Sequence, residues 1–197
     1  AEPEAGEYEA DEDKQPAPRE IHWHDAASGD SDLLVSAAQL TPKEADSPLR
    51  IDDYAFTDDR TKLLIFTDSK KVWRYKTRGD YWVLDLEDGS LKQLGGAEGG
   101  GARLMFATFS PDGKKVGYVL EHNLYVQDLE SLEVTPLTTD GSDTIINATF
   151  DWVYEEELKL LNGFRWSPDS QSIAYWQLDQ SGVPVVNLIN NTDELYP

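Results

Sequence analysis

The strongest constraint on this chain is a motif that recurs three times. Its first copy is Phe56-Thr57-Asp58-Asp59-Arg60-Thr61-Lys62-Leu63-Leu64-Ile65-Phe66 and its second is Phe109-Ser110-Pro111-Asp112-Gly113-Lys114-Lys115-Val116-Gly117-Tyr118-Val119. Its third is Trp166-Ser167-Pro168-Asp169-Ser170-Gln171-Ser172-Ile173-Ala174-Tyr175-Trp176, and the opening aromatics stand 53 and 57 residues apart. In each copy an aromatic ends one strand. A Ser/Thr-Pro/Asp-Asp-x turn then reverses the chain, with proline's fixed φ and the Asp side chain as an Asx cap, and an apolar strand leaves it. Further strands are expected at Lys71–Tyr75, Tyr81–Leu86, Asn123–Leu129 and Val185–Ile189, with short closing strands at Lys92–Leu94 and Val134–Leu137. Each unit therefore reads as a meander of about four antiparallel strands. That period and strand count specify an all-β fold built of β-propeller blades, near 50–95, 102–139 and 144–197. A two-sheet sandwich does not call for three near-copies of one turn-strand motif at near-constant spacing.

Ahead of the repeats, Ile21 and Trp23 and then Leu33, Leu34 and Val35 flank Ala27-Ser28-Gly29-Asp30-Ser31, which predicts a hairpin with a longer loop. Residues 1–20 have a different texture. They carry eight acids against Lys14 and Arg19, three prolines, and Tyr8 as the only large apolar side chain. Such a segment buries too little surface to offset its ordering entropy and reads as a disordered acidic leader. Over the whole chain 38 acids oppose 17 basic residues, for a formal charge of −21. A field of that sign repels phosphate backbones and anionic lipid, which argues against nucleic-acid partners, and it favours cationic ligands such as a peptide amino terminus. The chain has no cysteine, which excludes disulfides, thiol catalysis and thiolate-bound metal. No apolar stretch approaches the length of a transmembrane helix.

Most motifs that would carry chemistry are missing. There is no Gly-x-Ser-x-Gly nucleophile elbow. His22 and His24 share one face of a strand, but two ligands without a third do not make a zinc site. Gly95-Gly96-Ala97-Glu98-Gly99-Gly100-Gly101 lacks the Lys-Ser/Thr of a phosphate-binding loop and reads as a flexible connection between blades. Asn147-Ala148-Thr149 and Asn190-Asn191-Thr192 match the short glycosylation acceptor pattern. Asp151–Leu161 breaks the strand pattern. Its good helix formers predict a short helical insertion near 152–161, inside the third unit. Within it, Glu155, Glu156 and Glu157 are consecutive. Successive glutamates repel one another unless a cation is supplied, and side-by-side carboxylates suit an ammonium with its three donors. A solvated acidic helix edge is the alternative on these residues alone.

The run Asp151-Trp152-Val153-Tyr154-Glu155-Glu156-Glu157 resembles the double-Glu motif of the dipeptidyl peptidase IV family of serine peptidases. Val72-Trp73-Arg74 followed by Gly79-Asp80-Tyr81-Trp82-Val83-Leu84-Asp85-Leu86 resembles the first blade of bacterial members. Phe164-Arg165-Trp166-Ser167-Pro168-Asp169, Ala174-Tyr175-Trp176-Gln177-Leu178-Asp179 and Leu188-Ile189-Asn190-Asn191-Thr192-Asp193 resemble the segment after the motif. The resemblance covers residues 21–197. It implies the N-terminal part of an eight-bladed propeller that caps an α/β-hydrolase domain. It also implies that Glu156 and Glu157 bind the free amino terminus of a peptide, with Glu155 as helix context, so that cleavage falls after the second residue.

The family further uses an arginine on the substrate carbonyl. Arg103 is the nearest candidate, but the glycine-rich loop beside it does not align, so that role stays unassigned. The resemblance implies no cofactor and no metal. The family's catalytic Ser, Asp and His belong to the hydrolase domain, so the 197 residues by themselves are expected to be inactive. Partners implied are peptides with a free amino terminus, the hydrolase domain and, through open sheet faces, further copies in a homo-oligomer. The setting implied is periplasmic, extracellular or membrane-associated. The rival function is a non-catalytic propeller module that binds protein partners.

Overall fold

The computed structural model describes residues 20–186 apart from residue 73. The acidic leader and most of the strand expected at Val185–Ile189 lie outside the described residues. Strands β1 (Ile21–His24) and β2 (Ser31–Val35) form the expected hairpin. Its loop is closed by the Asp25 carboxylate, which accepts from the Ala27 and Ser28 N–H groups at 2.8 and 2.7 Å.

Two four-stranded antiparallel meanders follow. The first is β3 (Asp53–Phe56), β4 (Lys62–Val72), β5 (Tyr75–Asp85) and β6 (Leu91–Gln93), paired in chain order. The second is β7 (Met105–Phe109), β8 (Lys115–Leu120), β9 (Asn123–Asp128) and β10 (Val134–Pro136), again in chain order. The expected strand at Lys71–Tyr75 is not a separate element. β4 and β5 each run 11 residues, and Val72 pairs with Tyr75 across the tip of one long hairpin.

The third unit also departs from expectation. Its strands β11 (Ile145–Asn147), β12 (Phe164–Trp166), β13 (Ile173–Tyr175) and β14 (Gln177–Asp179) form two pairs, β11 with β14 and β12 with β13. The insertion between β11 and β12 separates the two pairs. Within it helix α1 (Trp152–Glu156) stops well short of Leu161. Its C-cap is Glu157, whose N–H bonds the Val153 carbonyl, and Lys159, two residues further on, turns to a φ of 59°.

The three motif turns share one set of hydrogen bonds. The first hydroxyl of each, on Thr57, Ser110 and Ser167, donates to the Asp two residues on, at 2.6, 2.6 and 2.5 Å. The same hydroxyl accepts the N–H five residues on, at 3.1, 3.0 and 2.9 Å. These hydroxyls, with turn N–H donors behind them, hold the Asp59 carboxyl down at about 2 and lower those of Asp112 and Asp169. Arg60, Gly113 and Ser170 occupy one equivalent left-handed position, and only the second copy places there the glycine it favours.

Period-2 alternation sends side chains to both faces of each sheet, so the layers stack. From β4, Leu63 and Ile65 pack with Ile21, Val35 and Leu40 beneath the β1–β2 hairpin, while Leu64 faces the second meander. From β8, Val116, Tyr118 and Leu120 meet Leu64, Tyr81 and Val83, while Val119 packs on Phe164 of the third unit. Each fully buried side chain of this size contributes roughly 1.5–3 kcal/mol of burial.

Candidate functional site

The third unit carries α1 on its insertion. Asp151 caps the helix with extended backbone, and its carboxylate accepts from the Tyr154 N–H at 3.2 Å. Phe150 stacks on Tyr154 at 5.6 Å and lies 6.1 Å from Trp176, which anchors the helix to the β13–β14 region. The aromatic flanks of the glutamate run thus form its mount, and Trp152 stays exposed.

The three glutamates occupy three different environments. Glu155 is half-buried and its Oε1 has no hydrogen-bond partner. Burial pushes its carboxyl above the usual range, and the adjacent Glu156 charge adds to that. Glu156 is buried, at 6% exposure, and neither of its carboxylate oxygens accepts a hydrogen bond. Glu157 follows the helix at its C-terminal boundary and is exposed. The two residues predicted as the site are therefore adjacent, one sunk and one open. A buried carboxylate without hydrogen bonds is costly unless a cation and donors face it.

A cation does face Glu156. Arg74, in the turn joining β4 to β5, places Nε 2.9 Å from Glu156 Oε2, close enough for an ion pair but not aligned as a hydrogen bond. Its side chain is 74% exposed, so most of the guanidinium's donors remain open to other partners. Next to it, the Tyr75 ring lies 5.5 Å from Lys159 Nζ. The tip of the first blade thus reaches the helix of the third unit. Arg74 is the site residue that reading the sequence missed. It stands inside the Val72-Trp73-Arg74 segment, but only the full length of the β4–β5 hairpin brings it to α1. Arg103 is occupied elsewhere, its guanidinium bonded to Glu98 at 2.9 Å and Glu121 at 2.5 Å.

The rings of His22 and His24 lie 6.5 Å apart, and among the described residues no group of three His, Cys, Asp or Glu could hold a metal ion. The glycine-rich connection folds into a tight turn bonded to the neighbouring sheet. Gly95 donates to Gln127 at 2.8 Å, Gly96–Glu98 form one 3-10 turn, and a Cβ on Gly99 would sit 1.8 Å from the Leu94 carbonyl oxygen. Asn147 is fully buried, with Nδ2 on the His122 carbonyl and on Asp140, so this glycosylation pattern is a core amide. Asn190 lies outside the described residues.

Residues 57–197 match the family described as the dipeptidyl peptidase IV N-terminal region. The chain is 38% identical over 127 residues to the probable dipeptidyl-aminopeptidase B of Penicillium rubens, covering 64% of this chain and 14% of that protein. It is 34% identical over 124 residues to the dipeptidyl-aminopeptidase B of Aspergillus niger, covering 62% of this chain and 14% of that one. Among solved structures, it superimposes on dipeptidyl peptidase 4 of Porphyromonas gingivalis with a TM-score of 0.78 and 30% identity, over 91% of this chain and 25% of that one. The chain thus spans about a seventh of the length of these curated relatives.

Proposed function

Because the chain belongs to the dipeptidyl peptidase IV family, through its N-terminal region, we propose that it holds the free amino terminus of peptide substrates with Glu156 and Glu157. The parent activity in this reading is a serine exopeptidase that releases N-terminal dipeptides, with Pro or Ala second, and whose Ser, Asp and His reside in a hydrolase domain. The observation that carries the reading is the Glu156 carboxylate, buried beside Arg74 yet accepting no hydrogen bond, with the exposed Glu157 next to it. An ammonium brings the hydrogen-bond donors that the Glu156 carboxylate lacks, and a positive charge for the second carboxylate that Arg74 alone does not balance. Arg74, with its exposed guanidinium, takes the role of the arginine that contacts the substrate carbonyl.

The chemistry supplied here is positioning. Holding the amino terminus at a fixed distance from a nucleophile selects the second peptide bond and orients it for attack, without any bond made by the glutamates. A periplasmic, extracellular or membrane-associated setting belongs to the same proposal. The test is dipeptide release from an Xaa-Pro substrate by a complete enzyme containing this chain. Glu156→Gln and Glu157→Gln are each expected to lower kcat/KM about 100-fold, since each removes a charge-assisted contact to a desolvated ammonium. An unchanged kcat/KM in both variants rules the assignment out.

A further inference from the structure

The turn that follows helix α1 is one its sequence does not favour. The Leu160 N–H closes on the Tyr154 carbonyl at 3.0 Å, and the intervening Lys159 has a φ of 59°. This left-handed position, two residues past the helix cap Glu157, is one that glycine fills best, because a side chain crowds its own backbone there. The chain places a lysine at it. The side chain curls back over the helix end, where Nζ donates to the Glu156 carbonyl at 2.5 Å and lies 5.5 Å from the centre of the Tyr75 ring. Tyr75 opens β5, directly after Arg74. Two neighbouring residues of one hairpin tip therefore meet one short helix. Arg74 meets the Glu156 carboxylate, and Tyr75 meets the ammonium that holds the Glu156 main chain.

We propose that Lys159 is a positioning residue: with Tyr75 it clasps the first-blade hairpin tip to the end of α1 and so fixes the Glu156 carboxylate against Arg74. The effect on substrate rests on the amine-binding reading above, while the clasp itself is measurable without it. An exposed ion pair alone holds two elements weakly, and Arg74 is mostly exposed. A cation within about 6 Å of a ring face adds a second point of attachment, and three ammonium donors let one lysine serve both the ring and the carbonyl. This accounts for lysine at a backbone position suited to glycine.

The decisive variant is Lys159→Gly in the full chain, because it relieves the backbone while removing the clasp. A purely local role for Lys159 predicts equal or higher thermal stability and unchanged hydrogen exchange at the hairpin tip. The clasp predicts amide exchange around Arg74 and Tyr75 faster by about fivefold without a lowered melting temperature. Tyr75→Leu should do the same, the double variant should add nothing further, and Lys159→Arg should retain wild-type exchange. In the complete enzyme, KM for a free-amine Xaa-Pro substrate should rise about fivefold in Lys159→Gly with kcat held. Wild-type tip exchange in Lys159→Gly overturns the clasp. A loosened tip with unchanged KM, where Glu156→Gln does raise KM, overturns the positioning role. A KM insensitive to Glu156→Gln overturns the amine-binding reading and this proposal's effect on substrate with it.

Discussion

Arg74 Nε lies 2.9 Å from Glu156 Oε2, an ion pair that ties the hairpin tip of the first blade to the helix of the third unit. The partners are unequal, the guanidinium mostly in solvent and the carboxylate buried. Removing the guanidinium leaves a buried carboxylate with no ion-pair partner, the costly half of such a pair. Arg74→Met should lower unfolding stability by about 1 kcal/mol, a value reduced by the arginine's exposure. It should also weaken free-amine peptide binding. Urea titration reads the first effect and calorimetry with an Xaa-Pro peptide the second. Wild-type values in both would remove Arg74 from the site.

The Asp52 carboxylate is set against Lys76 of β5 at 2.8 Å and also accepts from the Ser69 N–H. Burial alone would raise its pKa, but the hydrogen bonds from Lys76 and Ser69 outweigh it and bring it from 3.8 to about 2. A carboxyl lowered in the folded state adds stability that is present above pH 3.8 and lost as pH falls towards 2. With Lys76 half-exposed, the contribution is about 1 kcal/mol. Denaturant midpoints from pH 5 to 2 should fall less steeply in Lys76→Met than in wild type. Parallel curves would show that Lys76 does not set this titration.

Phe164 joins the second meander to the third unit, packed on Val119, Leu124 and Ala148. Truncating a buried aromatic removes its transfer energy and leaves a cavity. Phe164→Ala should cost about 3–5 kcal/mol and lower the melting temperature markedly. Because α1 is mounted on the same unit, it should also impair amine binding more than a surface substitution such as Lys92→Ala.

The motif turns make a narrower prediction. Ser110 both donates to Asp112 and receives the Lys115 N–H. Ser110→Ala should raise the Asp112 carboxyl towards its ordinary value, visible in an NMR pH titration, and lower stability by about 1–2 kcal/mol. Ser110→Thr keeps the hydroxyl, as the first copy does with Thr57, and should stay near wild type.

The repeat was legible because turn chemistry and strand alternation are local, and three copies reinforce one another. The Thr57, Ser110 and Ser167 turns could be read from a few residues each. The long β4–β5 hairpin was not, since the Lys and Thr residues near its tip lack an apolar pattern and are held by pairing across strands. The third unit reads as a meander from its motif alone, but α1 and its flanks separate the strand pairs. In the site, the motif pointed to Glu156 and Glu157, while Arg74 and Tyr75 reach them only through folding over long sequence separation, and Lys159, though close in sequence, acts through a backbone turn that the motif does not show. Arg103 stands beside a glycine-rich turn that is bonded to Gln127, a residue of the neighbouring sheet.

In the proposed function, the buried Glu156 and exposed Glu157 recognise a free amino terminus. The most direct measurement compares kcat/KM for an Xaa-Pro substrate and its N-acetylated counterpart in a complete enzyme carrying this chain. The wild type should prefer the free amine by about 100-fold or more, a preference abolished in the Glu156→Gln, Glu157→Gln double variant. Equal cleavage of the free and acetylated substrates by the wild type would contradict it.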